Sequence, residues 1–170
     1  MDERVKRMVD GLEKAMVAEI EGHHFYQMAA NSTKDDKGRQ TFLDLAAEEM
    51  DHYSFLKTQA EALAKTGKVD STAKLGEQKA LSGSHPIFSE QIKQRVGQAH
   101  YEMTALTIGI QLEQSAVEFY RAEGEAASDP DVKALHKDLM FWEQGHLAAL
   151  QAQADALKED YWNEARFAPF

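Results

Sequence analysis

Glu49-Met-Asp-His52 and Glu143-Gln-Gly-His146 stand 94 residues apart and share one spacing, a glutamate followed three positions later by a histidine. On a helix, residues three apart lie on one face, about one turn along. A carboxylate and an imidazole so placed can serve the same ion. A single such tetrad says little, because charged helices produce it often. The copy changes that. Sliding the chain against itself by 94 residues gives ten identities over the 44 pairs from Met16 to Gln59, without a gap. Background composition gives about two or three. Glu19 falls on Glu113, Phe25 and Tyr26 on Phe119 and Tyr120, Asp35 on Asp129, Asp44 on Asp138 and Gln59 on Gln153. Each tetrad therefore begins 30 residues after another matched glutamate.

The surrounding chain is helical throughout. Its three prolines, Pro86, Pro130 and Pro169, leave long proline-free stretches whose apolar residues recur at helical spacing. Four helices are expected, over about 3–30, 36–65, 100–126 and 130–158. Asp129-Pro130 reads as an N-cap and first-turn proline, and Gly67 as a C′ residue. The first–second and third–fourth connections are short, which makes antiparallel hairpins. The connection over 66–99 is long enough to cross the bundle lengthwise and to carry a short helix near Ser89–Arg95. Each repeat is one hairpin, and two hairpins joined by a long crossover make an all-α, ferritin-like four-helix bundle. The expected organisation is a single domain over 1–170, with an aromatic tail at 159–170 that docks on its own bundle or on a second subunit.

Composition narrows the chemistry. A chain of 170 residues can bury a sizeable core. The net charge of −10 disfavours nucleic acid, and no apolar run is long enough for a membrane span. The charged N-terminal segment has no export signal, so the cytoplasm is the expected compartment. There is no cysteine. Any metal site must use carboxylates and imidazoles, donors that suit iron or manganese.

The matched positions supply such a set. Packing alone gives no reason to repeat glutamates and a histidine on a core-facing stripe, because a buried unpaired charge is costly. Four carboxylates would balance two divalent ions. The expected arrangement puts Glu19 and His52 on one metal, Glu113 and His146 on the other, with Glu49 and Glu143 bridging.

The segments Glu19-Ile-Glu-Gly-His-His-Phe-Tyr26, Glu49-Met-Asp-His52, Glu113-Gln-Ser-Ala-Val-Glu-Phe-Tyr120 and Glu143-Gln-Gly-His146 resemble the rubrerythrin branch of the ferritin-like superfamily. The resemblance covers nearly the whole chain. It implies a non-haem site of two iron ions, reduction of hydrogen peroxide or oxygen or ferrous oxidation, and a homodimer. The sequence departs from rubrerythrins in two ways. Without cysteine there is no rubredoxin module, so an external electron donor is expected. Rubrerythrins also place a further glutamate one turn after the first glutamate of the third helix, where this chain has Ala116, repeat partner of Gly22. The remaining six ligands are similar to the plain ferroxidase centre of bacterioferritins, and the two small residues leave room for oxygen or peroxide. The alternatives to a peroxidase are iron oxidation for storage or transfer, and a non-catalytic helical interaction protein.

Around the ligands, Tyr26 and Tyr120 sit seven residues after Glu19 and Glu113, on the same face. They are expected to orient ligand carboxylates or to serve as core tyrosines with satisfied hydroxyls. His23, one turn after Glu19 and matched with Val117, reads as a core or hydrogen-bonded histidine, with a spare ligand as the alternative, and His136, matched with Phe42, reads as a packing residue.

Overall fold

A computed structural model describes residues 2–76, 86–93 and 99–164. Among these are five helices and no strand: α1 (Glu3–Ser32), α2 (Asp36–Thr66), α3 (Glu90–Lys93), α4 (His100–Ala126) and α5 (Pro130–Glu164). The caps follow from the residues that flank them. Asp2 accepts a hydrogen bond from the Arg4 N–H at the start of α1, and Asp35 accepts one from the Gly38 N–H at the start of α2. Asp129 does the same for α5, taking the Asp131 N–H at 3.0 Å. Gly67 closes α2 in the left-handed region at φ 72°, its N–H donating to the Leu63 carbonyl.

α5 runs through Glu164, past the 158 at which the sequence reading ends the fourth helix. The reason is local. Lys158-Glu-Asp-Tyr-Trp-Asn-Glu164 contains neither glycine nor proline, and nothing there competes with continued helix. Residues 165–170 of the aromatic tail lie outside the described residues, as do 77–85 and 94–98 of the crossover.

α1 packs along α2 and α4 along α5, and α1 also contacts α4. The last contact is antiparallel. Thr33, after α1, donates to Glu102 near the start of α4, while Arg4 at the start of α1 pairs with Asp129 beyond the end of α4. The two described ends of the crossover lie at opposite ends of the bundle. The connection leaves near the C-terminal end of α2, where the Gln59 amide bonds both the N–H and the carbonyl of Asp70. It arrives at the opposite end, where Gln153 accepts the Ile87 N–H at 2.6 Å and Asp35 accepts the Ser89 N–H at 3.1 Å. Gln59 and Gln153 are repeat partners, and each pins one end of the same connection. The matched pair Asp44 and Asp138 has no such common role. Asp44 takes a hydrogen bond from Gln40, and nothing in the structure explains Asp138.

The buried apolar residues fall into two layers. One gathers Leu12, Leu56, Leu63, Tyr120, Leu135 and Leu139, and the other Tyr26, Phe42, Leu45, Leu106, Leu150 and Leu157. Along every long helix the two layers are separated by one stretch, and in that stretch stand Glu19, Glu49, His52, Glu113, Glu143 and His146. A polar layer is thus held between two greasy ones, at mid-bundle.

One close approach is testable. A Cβ on Gly38 would lie 2.3 Å from the Phe88 ring, and Phe88 cannot back away freely because the adjacent Ser89 is tied to Asp35. Overpacking costs about 1–3 kcal/mol, against about 1 kcal/mol gained by replacing a helical glycine with alanine. Gly38→Ala should therefore lower stability in urea unfolding. An unchanged or raised midpoint would show that the crossover end yields without cost.

Candidate metal centre

The structure brings all six residues named from the repeat into one buried cluster. Glu19, Glu49, Glu113 and Glu143 are buried, and His52 and His146 are wholly inaccessible. The donor atoms divide into two quartets. One comprises Glu19, Glu49, His52 and Glu143, the other Glu49, Glu113, Glu143 and His146. Glu49 and Glu143 belong to both.

Nδ1 of His52 lies 3.4 Å from Glu19, 3.4 Å from Glu49 and 3.1 Å from Glu143. Nδ1 of His146 lies 3.8 Å from Glu49, 3.7 Å from Glu113 and 3.4 Å from Glu143. Despite this closeness, neither Nδ1 nor either oxygen of Glu143 makes a hydrogen bond. Buried polar atoms left so are rare and need a reason. Oxygen and nitrogen donors at about 2.1 Å from a shared ion lie roughly 3 Å from one another, aimed at the ion rather than at each other. The spacing and the missing hydrogen bonds both fit that arrangement.

The hydrogen bonds around the cluster cross between the repeats. Tyr26 on α1 donates to Glu113 on α4, and Tyr120 on α4 donates to Glu19 on α1. Each tyrosine stands on the same stripe as its own repeat's glutamate, yet restrains the other's. Both phenols hold their protons well above the usual range, first because they are buried and then because carboxylates surround them. His146 donates from Nε2 to Glu48 at 2.8 Å, which in the neutral ring leaves Nδ1 as the lone-pair nitrogen facing the carboxylates.

Glu48 escapes a sequence reading. Neighbours on a helix point about 100° apart, so adjacency to Glu49 does not place it at the site. Its repeat partner is Trp142, so the self-match is silent as well. His23 is not part of the cluster. Its ring bonds the Ala46 carbonyl at 2.6 Å. His136 packs beside Tyr120, and burial holds its pKa down to about 4.

A cavity of about 330 Å³ opens onto the cluster between α1 and α4. Gly22 and Ala116 line it, with Ala18 and Leu112 nearby and the four glutamates at its floor. A Cβ at Gly22 would already touch Glu49 at 3.5 Å, so larger side chains at these positions would fill the space over the carboxylates. The volume admits several water-sized molecules.

The rubrerythrin family profile matches residues 10–154. The chain belongs to the rubrerythrin family. That family is one of ferritin-like di-iron proteins, and the paired Glu/His quartets of this rubrerythrin chain are compatible with such a site. No curated protein and no solved structure matches it. Among its described residues no helix is long and apolar enough to cross a membrane.

With no ion between them, so many carboxylates cannot all be ionised. Burial and then repulsion from Glu143 raise Glu113 to about 7, and the same two causes raise Glu49 well above the carboxylate range. Burial also opposes the charge on Glu143, but the two imidazoles outweigh it and hold this group low. For His52 and His146, burial favours the neutral ring, and the adjacent carboxylates reverse that and raise both.

The sign for stability follows. A group whose pKa is raised on folding stabilises below its unfolded value and loses that contribution as pH climbs through the folded one. Glu49, Glu113, His52 and His146 all act in this direction, while His136 titrates lower. The metal-free protein should melt at a lower temperature at pH 8 than at pH 6, and ferrous or manganous ion should remove most of the difference. A melting temperature that rises with pH in the metal-free protein would contradict this balance of charges.

Proposed function

We propose that the six residues hold two iron ions and that the protein is a non-haem di-iron oxidoreductase acting on hydrogen peroxide or oxygen. The observation that carries this is the pair of quartets sharing Glu49 and Glu143, whose donor atoms lie within 4.8 Å of one another while both histidine Nδ1 atoms and both Glu143 oxygens make no hydrogen bond. Glu19 and His52 would hold one ion and Glu113 and His146 the other, with Glu49 and Glu143 shared between them. Four carboxylates neutralise two divalent cations, which removes the repulsion that otherwise drives proton uptake. Bound there, two iron ions would polarise an O–O bond and supply the electrons for its reduction. Reduction of peroxide to two waters consumes two electrons and two protons. In this reading an external reductant supplies the electrons.

The protein's own contribution is positional. Tyr26 and Tyr120 keep their protons and hold Glu113 and Glu19 in place. The apolar layers on either side keep the carboxylates out of bulk water. The cavity over Gly22 and Ala116 gives a small oxidant a way to the ions while excluding bulky substrates.

Two measurements test this reading. Protein loaded with ferrous ion without oxygen should take up two ions per chain, and stopped-flow spectra should show faster oxidation by peroxide than by oxygen. Oxygen-driven turnover of many irons per chain would instead indicate iron storage, and no uptake at all a non-catalytic bundle. The double variant Glu49→Ala, Glu143→Ala should lose two-ion binding, and retention of both ions would refute the bridging assignment.

A further inference from the structure

The two halves of the cluster match in their ligands but differ in what stands behind them. His146 donates from Nε2 to the carboxylate of Glu48, itself almost wholly buried. The repeat places Trp142 at the equivalent position. Trp142 precedes Glu143 on α5 as Glu48 precedes Glu49 on α2, and each faces the histidine of the opposite hairpin. The His52 ring meets the Trp142 ring edge-on at 5.1 Å between centroids. Nε2 of His52 is buried and has no hydrogen-bond partner among the described residues.

We propose that this substitution makes the two metal positions unequal, with the Glu113/His146 position binding a divalent cation more tightly than the Glu19/His52 position. The inference rests on the two-metal reading of the cluster and adds an order of occupancy to it. The physical cause has two parts. A carboxylate on the far nitrogen fixes the tautomer and the ring orientation of His146 and makes its Nδ1 a stronger donor. The same carboxylate adds a negative charge beside that position, inside a layer where water does not screen it. His52 has neither. An aromatic ring leaves its tautomer unset, and its Nε2 finds no hydrogen-bond acceptor among the described residues. Glu48 is therefore a positioning residue, acting through His146.

The test must avoid repulsion between two ions, which alone would split two equal affinities. Single-position backgrounds do this. His52→Ala leaves the Glu113/His146 position, and His146→Ala leaves the other. Each metal-free protein is titrated with cobalt(II), whose visible bands report occupancy without redox chemistry. The His52→Ala protein should bind one ion about 10- to 100-fold more tightly than the His146→Ala protein, the range by which outer partners tune metal affinity. Adding Glu48→Gln should weaken binding about tenfold or more in the His52→Ala background and leave the His146→Ala background unchanged. The amide keeps an acceptor for Nε2, so the fold is preserved while the charge is lost. Equal affinities in the two backgrounds, or an equal effect of Glu48→Gln in both, overturn the inequality while leaving the two-metal site intact. Failure of the wild-type chain to bind any ion overturns the site and the inequality together.

Discussion

Six ionisable side chains occupy the middle of this bundle, and burying them without compensation is the constraint on which the rest of the structure turns. An isolated buried carboxylate is expensive, and four together repel one another as well. The helices nevertheless bring Glu19, Glu49, Glu113 and Glu143 to one layer, with only two imidazoles as internal counter-charges. Two flanking layers of leucine, alanine and aromatic side chains hold that layer in place. Their burial supplies the stability that the polar layer takes away. A cation pair converts the same layer from a liability into a cross-link between all four long helices, because every one of them contributes a donor.

The pseudo-two-fold relation between the hairpins explains why the arrangement closes. Each hairpin supplies two glutamates and a histidine, and each depends on the other for its restraints. Tyr26 and Tyr120 exchange partners across the α1–α4 contact. Gln59 and Gln153 grip opposite ends of the crossover. Neither hairpin completes its own site. This mutual dependence gives a physical reason for the ten repeat identities to include polar residues beyond the metal-facing set.

Two pairs of matched positions beside the six donors have chemical consequences. Gly22 and Ala116 leave a cavity where a further carboxylate would otherwise stand over the ions. Glu48 and Trp142 surround the two histidines differently. The first opens the carboxylates to small molecules. The second gives two similar ligand sets different affinities. Both pairs lie outside the six shared donors, where variation can adjust reactivity without dismantling the site.

Much of this was legible in the sequence because the repeat is in register and ungapped. Glu-x-x-His at matched places, 30 residues after a matched glutamate, picked out the six residues that the structure gathers into one buried cluster. Gly67 and Asp129-Pro130 marked two of the helix ends, and no stop signal marked the end of α5, which continues to Glu164. Tertiary structure alone decided which tyrosine restrains which glutamate, since spacing along one helix says nothing of reach into another. It alone decided that Gln59 and Gln153 anchor the crossover, and that Glu48 backs His146 while Trp142 stands against His52. These are contacts between elements distant in the chain. A self-match records what the two halves share, whereas the inequality of the site comes from a position where they differ.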